Sequence, residues 1–381
     1  MSVQEDLKMP PLFTLDNEII YLNHAAIAPW PAATADAVKA FAEENQRQGS
    51  KEYLRWLKTE QGLKAKLASL INAASTDEIS LLKSTSEALS VVAYGLDWQP
   101  GDNVVIFKEE FPSNRIVWES LKKLGVEVRE LEIHATHQPE AALISRCDAN
   151  TKLVSVSSVQ YADGFRLDLN LIGEQCRDND ILFCVDAIQS IGALKFDAQA
   201  CHADFVMADG HKWMLGPEGL ALFYVRSEIR DRLKLNQYGW HMTKHPGEFD
   251  RSSWEISDTG TRFECGSPNM LGIHALNASM DLILETGIDE IERKVLSNSQ
   301  AMIELIDRAD NLRLVSKPDT DRLSGIITFN SSRVASQDLY EKLMSRGVMC
   351  AHRGGGVRFS PHFYSPAEEI EKAISMANDM D

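Results

Sequence analysis

Two stretches decide how this chain folds: Leu182-Phe183-Cys184-Val185-Asp186-Ala187-Ile188-Gln189 and, further along, Phe205-Val206-Met207-Ala208-Asp209-Gly210-His211-Lys212. Each opens on a short apolar run, too uniform for a strand with one wet face. Runs of this kind belong to strands buried on both sides, as in a parallel sheet covered by helices. Each run then meets an aspartate and turns polar. In open parallel sheets the ligand crevice lies at the carboxyl ends of the strands, so Asp186 and Lys212 are directed to one place.

Outward from this pair the rhythm continues. Candidate strands are Glu78–Leu82, Val104–Phe107, Val126–Leu131, Leu153–Ser157, Leu182–Val185, Phe205–Ala208 and Leu220–Val225. Segments between them, such as Ser86–Leu96, Ser113–Lys123 and Leu171–Asp178, carry helical spacing. The alternation predicts a mostly parallel sheet with helices on its faces. Residues 235–262, with Trp240, His241, His245 and Trp254, have no clear period and read as a long functional loop. Beyond it, helices over Leu271–Leu284 and Ile288–Asp307, a strand at Gly325–Phe329, and helices over Ser336–Arg346 and Pro366–Met376 suggest a smaller α+β domain. The expected division is a large domain over 20–262 and a small one from 1–19 and 263–381.

Composition narrows the function. A chain of 381 residues exceeds one simple core and suits two domains. The balance of 44% hydrophobic and 25% charged residues is that of a globular protein. No apolar run reaches the roughly 18 residues of a membrane span. Met1 to Pro11 holds Glu5, Asp6 and Lys8 without the apolar stretch of a signal peptide, so the cytoplasm is the expected compartment. Six scattered cysteines without a C-x-x-C pair point to buried thiols, not to a disulfide framework or zinc site. A net charge of −17 repels a phosphate backbone, so nucleic acid is not an expected partner, and without a spanning run neither is a membrane.

A lysine and a carboxylate at neighbouring strand ends suit pyridoxal 5′-phosphate (PLP): the lysine supplies an imine, and the carboxylate keeps the pyridine nitrogen protonated. A buried Asp186–Lys212 ion pair is the alternative, costly without further partners. A third feature follows the strand at Glu78–Leu82: Lys83, Ser84, Thr85, Ser86 and Glu87, opening a helix near Ser86. Hydroxyls and backbone N–H groups at a helix N-terminus hold phosphate. The same residues also read as an N-cap with Glu87 completing a capping box.

The string from Val185 to Gly192, then Ala203-Asp204, Gly210-His211-Lys212 and Gly216-Pro217-Glu218-Gly219, resembles the class V aminotransferases, in particular their cysteine desulfurase and selenocysteine lyase branch. Further matches are Tyr21-Leu22-Asn23-His24-Ala25-Ala26, Glu110-Phe111-Pro112-Ser113-Asn114, Arg262-Phe263-Glu264, Gly266-Ser267-Pro268-Asn269 and Val357-Arg358-Phe359. They cover nearly the whole chain in order. The resemblance implies a fold-type I, aspartate aminotransferase-like architecture with a three-layer α/β large domain. It implies Lys212 as the Schiff-base lysine and proton shuttle, with an amine of lowered pKa. Asp186 is then the partner of the pyridine nitrogen and Gln189 that of the ring oxygen. Thr85, Ser86 and His211 hold the phosphate, with Ser267 reaching in from the second subunit of a homodimer with shared active sites. Phe111 lies on the ring face, where the family often has histidine. Arg358 clamps the substrate α-carboxylate with two parallel bonds, and Ala26 lies with the substrate.

Some positions depart from the family pattern. Asp209 stands where desulfurases often place a phosphate-binding serine. Tyr161, where they carry asparagine, is a candidate contact to the ring oxygen. Desulfurases also carry a nucleophilic cysteine on a mobile loop before the substrate-binding arginine. Here the nearest is Cys350, followed by Arg353 and by Gly354, Gly355 and Gly356 before Arg358. Cys350 reads as the end of a strand, and a buried structural thiol is its commoner role. Arg353 is a candidate for a second substrate carboxylate. His241 and His245 stand four apart but lack the setting of a metal site, and no metal is expected. The glycine triplet has no dinucleotide spacing and reads as a hinge or tight turn. Neither a G-x-S-x-G elbow nor a P-loop occurs. The expected function is a PLP-dependent C–S or C–Se lyase acting on a small α-amino acid without the usual loop cysteine. Transamination, epimerisation and a PLP-binding partner of low activity are the alternatives. Specificity is expected from Arg353 and the loop around 238–258.

Overall fold

The computed structural model describes residues 12–317 and 320–381. In chain order its strands and longer helices begin with β1 (Ile20–Tyr21), α1 (Ala32–Gln48), α2 (Tyr53–Leu70), β2 (Ile79–Leu82) and α3 (Thr85–Gly95). Next come β3 (Asn103–Phe107), α4 (Ser113–Glu119), β4 (Glu127–Leu131), α5 (Pro139–Ile144), β5 (Thr151–Ser157) and α6 (Leu169–Asp178). The sheet closes with β6 (Leu182–Asp186), β7 (Phe205–Asp209) and β8 (Ala221–Val225). After the loop follow α7 (Met270–Thr286), α8 (Ile288–Arg308), β9 (Leu312–Leu314), β10 (Ile327–Ser331), α9 (Ser336–Ser345), β11 (Val348–Met349), β12 (Ala351–Arg353), β13 (Gly356–Phe359) and α10 (Ala367–Asn378).

The central sheet has the order β2-β8-β7-β6-β5-β3-β4. All neighbours pair in parallel except β8, which runs antiparallel to both β2 and β7. Period-two alternation makes it the middle of three layers. Val105, Phe107, Val154, Val156, Phe183 and Val185 face one apolar cluster with α2, α6 and α7. Their neighbours Val104, Ile106, Leu153 and Cys184 face a second cluster with α3 and α4. Where both faces are covered, as in β3, β6, β7 and β8, the strands are buried along their whole length and legible as near-uniform apolar runs. The edge strand β4, Glu127-Val128-Arg129-Glu130-Leu131, is instead mixed and partly exposed.

A second, antiparallel sheet has the order β12-β13-β10-β9. Its core joins Phe329, Val357 and Phe359 to residues of α8, α9 and α10. Ile20 and Leu22 belong to this cluster, because β1 pairs in parallel with β11. Helix α7 packs with the large sheet through Ile273, Leu276, Met280 and Ile283. Helix α8 serves both cores: Ile291 and Val295 lie in the first and Met302, Ile303 and Ile306 in the small one.

Candidate active site

The parallel strands β6 and β7 and the likewise oriented β2 bring three chain segments to one edge of the sheet. Beyond β7 the chain closes a loop on itself: Gly210 N donates to Leu220 O (2.9 Å), Gly216 N to Gly210 O (2.8 Å) and Leu215 N to Lys212 O (3.0 Å). Leu215, fully buried, holds φ +60°, a strained value that the surrounding packing must enforce. Lys212 is thereby fixed and buried. Burial lowers its ammonium to about 8; Asp186 and Asp209 oppose the shift, and Arg358 and Arg353 add to it.

Asp186 closes β6. Burial raises its carboxyl to about 6, against the Ile188 N–H bound at 3.1 Å and the Lys212 charge. Among the described residues it forms no salt bridge with Lys212, so the ion-pair alternative lacks its contact. Gln189 is held at both ends: its Nε2 donates to Ala25 O (3.0 Å) and its Oε1 accepts from Trp213 Nε1 (2.9 Å). One N–H of the amide remains for a ligand. Ala26 lies half-buried beside this contact, its N–H turned to Asn23 O at 3.0 Å.

Helix α3 begins at the same edge. Ser84 caps it, accepting from Glu87 N (3.2 Å), while Glu87 Oε2 accepts from Lys83 N (2.6 Å). The capping arrangement is real and leaves Thr85 and Ser86 for other partners. Thr85 Oγ1 accepts from Asp209 N at 3.1 Å, joining α3 to the end of β7. The Ser86 and Ser113 hydroxyls meet at 2.8 Å. The Asp209 carboxylate turns to His211, with Oδ1 2.8 Å from Nδ1 but off the line of a hydrogen bond, and neither buried atom has an aligned partner.

Phe111 is partly exposed, its ring centre 5.6 Å from Lys212 Nζ. Tyr161 stands edge-on to it at 5.1 Å. The carbonyl of Tyr161 accepts from Arg358 Nη1 at 2.6 Å. Arg358 is 2% exposed, Nε has no partner, and among the described residues no carboxylate pairs with it. Burial and the Arg353 charge lower its guanidinium to about 10. A buried cation costs too much to leave unanswered, so this one suits an anion that arrives as ligand.

The Gly354-Gly355 segment is the turn of a tight hairpin. Arg353 pairs with Gly356 and Ala351 with Arg358, so the glycines, at φ +59° and +79°, form a two-residue turn. In this register Arg353 and Arg358 share one face of the hairpin. Arg353 is exposed, and its Nη1 donates to His352 O (2.8 Å). Cys350 sits between β11 and β12 in the small-domain core, 2% exposed, its thiol pushed up to about 12 by burial.

The remaining candidates lie apart from this set. Ser267 is exposed and lines a cavity of about 300 Å³ with Lys83, Glu87 and Glu60. Loop residues 238–255, including Tyr238, Trp240, Phe249 and Trp254, enclose about 420 Å³ on their own, without Lys212, Asp186 or Arg358. His241 is buried beside Glu60 and Glu264, where Lys64 Nζ lies 3.3 Å from one carboxylate and 2.8 Å from the other. A lysine already supplies the cation there. Two groups bearing on the site were given no role from sequence. Glu110 stands next to Phe111 within a quoted motif, yet nothing local marks it as buried. His362 contacts the Trp213 carbonyl at 3.0 Å, across a sequence distance no spacing rule spans.

The donor set fits PLP on structural grounds: an amine and an acid buried without contact, an unanswered guanidinium, and helix-end hydroxyls within one sheet edge. Comparison with known proteins agrees. The family model for aminotransferase class V matches residues 20–373. The chain is 30% identical over 374 residues to a probable cysteine desulfurase of Methanothermobacter thermautotrophicus, covering 92% of each chain. It is 29% identical over 333 residues to a cysteine desulfurase of Pectobacterium atrosepticum, covering 83% of this chain and 80% of the other. Among solved structures, the fold is shared with a cysteine desulfurase of Thermococcus onnurineus (TM-score 0.85, 24% identity, 95% of this chain and 94% of the other). It is also shared with a cystine C–S lyase in complex with its product cysteine persulfide (TM-score 0.88, 21% identity, 95% and 98%). With its family model running from β1 into α10, the chain belongs to the class V aminotransferases.

Proposed function

We propose that the protein is a PLP-dependent, cysteine desulfurase-like lyase that cleaves the C–S (or C–Se) bond of a small α-amino acid without a protein thiol as sulfur acceptor. The observation that carries this reading is the Gly354-Gly355 hairpin together with the burial of Cys350. The segment before Arg358 is a two-residue turn, and the thiol nearest to it in sequence is packed in a core and protonated at neutral pH. Similarity to proteins described as cysteine desulfurases supports the C–S chemistry.

PLP, when bound, supplies an electron sink for the bonding pair at the substrate α-carbon. The protein's residues do the rest. Lys212 carries the cofactor and, once released, takes the α-proton; its lowered pKa makes the free amine accessible near neutrality. Asp186, ionised above about 6, keeps a proton on the pyridine nitrogen. Thr85, Ser86 and His211 would hold the phosphate, Gln189 and Tyr161 would contact the ring oxygen, and Phe111 would lie on the ring. Arg358 takes the α-carboxylate, and Arg353, on the same face of the hairpin, meets a second acidic group. Ala26 borders the substrate. With no thiol to receive sulfur, it must leave on the substrate's own β-substituent, which favours disulfide, sulfinate or S-substituted cysteines over cysteine. The exposed Ser267 is the contribution to a neighbouring subunit's phosphate site in a homodimer.

A panel of cysteine, cystine, cysteine sulfinate and S-substituted cysteines tests the reading. Pyruvate and a released sulfur species, with activity kept in Cys350→Ser, are expected. Alanine with a persulfide trapped on Cys350 would overturn it.

A further inference from the structure

Among the buried titratable groups that this chemistry leaves unused, Glu110 is densely engaged and lies beside the candidate site. It is 3% exposed and follows β3 by a short turn. Four neutral donors converge on its carboxylate: Ser157 N (2.9 Å), the Ser157 hydroxyl, Asn114 Nδ2 (2.8 Å) and Gln160 Nε2 (3.1 Å). A shell made of donors suits an acceptor-only carboxylate. Burial nevertheless raises the carboxyl to about 7, with those hydrogen bonds pulling against it.

What these bonds connect is specific. Glu110 precedes Phe111, whose ring centre stands 5.6 Å from Lys212 Nζ. Gln160 precedes Tyr161, whose carbonyl holds Arg358 and whose ring meets Phe111. Ser157 is the cross-strand neighbour of Asp186. One buried carboxylate thus ties the loop after β3 to the loop after β5, directly beneath the two residues that border the site.

We propose that Glu110 is a positioning residue: it locks the Phe111 and Tyr161 loops together and, through the Tyr161 carbonyl, fixes the Arg358 guanidinium in the pose that receives a substrate carboxylate. The role of Arg358 in this rests on the function proposed above. Glu110→Gln keeps the shape but turns an NH₂ toward a shell of donors, so the lock opens without a large cavity.

The test uses the holoenzyme and two carbonyl reagents that bleach its visible band. Aminooxyacetate carries a carboxylate for Arg358; methoxyamine does not. Wild type should react faster with aminooxyacetate, and Arg358→Ala should lose that preference. Glu110→Gln should lower the preference about tenfold or more, as expected of a clamp displaced by about an ångström. Its methoxyamine rate should stay within a factor of two. Adding Asn114→Asp, which returns an acceptor opposite the new NH₂, should restore the preference. Gln160→Leu, which cuts only the tie beside Tyr161, should lower it as well and serves if Glu110→Gln does not fold. A preference unchanged in both Glu110→Gln and Gln160→Leu but lost in Arg358→Ala overturns the proposal and leaves the assigned role of Arg358 intact. No preference in wild type overturns that assignment first, and the proposal with it.

Discussion

The chemistry proposed for Lys212 depends on a charge the fold makes expensive. Burial lowers the ammonium to about 8, so the neutral amine that captures a carbonyl grows as pH rises through that value. An ordinary lysine gains its free amine only near pH 10.4. PLP uptake by apoprotein, followed by stopped-flow absorbance, should therefore rise through pH of about 8. Borohydride should fix the cofactor to the peptide holding Lys212, and Lys212→Ala should retain none after reduction. Arg358 presents the opposite case, a cation that the fold leaves unanswered. On the proposed role, its replacement by alanine should remove a charge-assisted pair of about 2–5 kcal/mol and raise the substrate KM roughly 30-fold or more. Visible absorption should hardly change, and equal kinetics would shift the role to Arg353.

The hairpin of β12 and β13 is the element that carries Arg358 and Arg353, the residues proposed to face the substrate. A two-residue turn of this kind, with positive φ at both central positions, is one glycine adopts freely. At Gly354 a Cβ would also lie 2.9 Å from Ala162 O, in the turn that follows Tyr161. Gly354→Val should cost at least about 1 kcal/mol in denaturant unfolding and, by moving the strand of Arg358, raise KM more than it lowers kcat. Much of this scale was legible in the sequence. Each strand expected between residues 78 and 225 occurs within two residues of its expected ends; in β3, β6, β7 and β8 burial on both faces leaves a near-continuous apolar signal. The reversed direction of β8 was not legible, since an apolar run carries no sign of polarity. Nor was the hairpin: Gly354 and Gly355 announced a turn, but β12 and β13 are too short to show a period. Within the site, residues that sit at strand ends or in motifs were readable. The ties among them, such as the Tyr161 carbonyl to Arg358, were not, because a main-chain acceptor has no residue type.

Across the whole molecule, a buried aromatic group lies between the large-sheet core and the small core. His24 Nδ1–H donates to Ser360 O (2.9 Å), leaving Nε2 to accept from the Tyr364 hydroxyl (2.7 Å). His362 Nε2–H donates to Trp213 O (3.0 Å), and its Nδ1 accepts from Phe363 N (2.8 Å). Both rings are neutral in these roles. Burial lowers His362 to about 4 and holds His24 well below the usual histidine range. Below pH of about 6.5 the unfolded chain takes up protons that these rings refuse, so each costs about 1.4 kcal/mol of stability per pH unit down to its folded value. Glu110 and Asp186, raised to about 7 and 6, act in the opposite sense over part of that range. The histidine share is read as a difference: His362→Gln should show a shallower fall of Tm between pH 6.5 and 4 than wild type. Among the described residues no helix is long and apolar enough to cross a membrane. Sedimentation should give a mass near twice 42.6 kDa if Ser267 serves a neighbouring copy.

The pairing of β1 with β11 bears on how the molecule comes into being. Ile20 and Leu22 leave the ribosome roughly 330 residues before the partners that cover them, which lie around Val348, Phe359 and Ile374. The large sheet can assemble once α7 has emerged, whereas the small core must wait for α10. During that interval two early apolar residues have no place to bury and are exposed to chaperones and proteases. Burial of these two residues is thus coupled to the last helix of the small core, and a chain cut short before α10 should leave them uncovered.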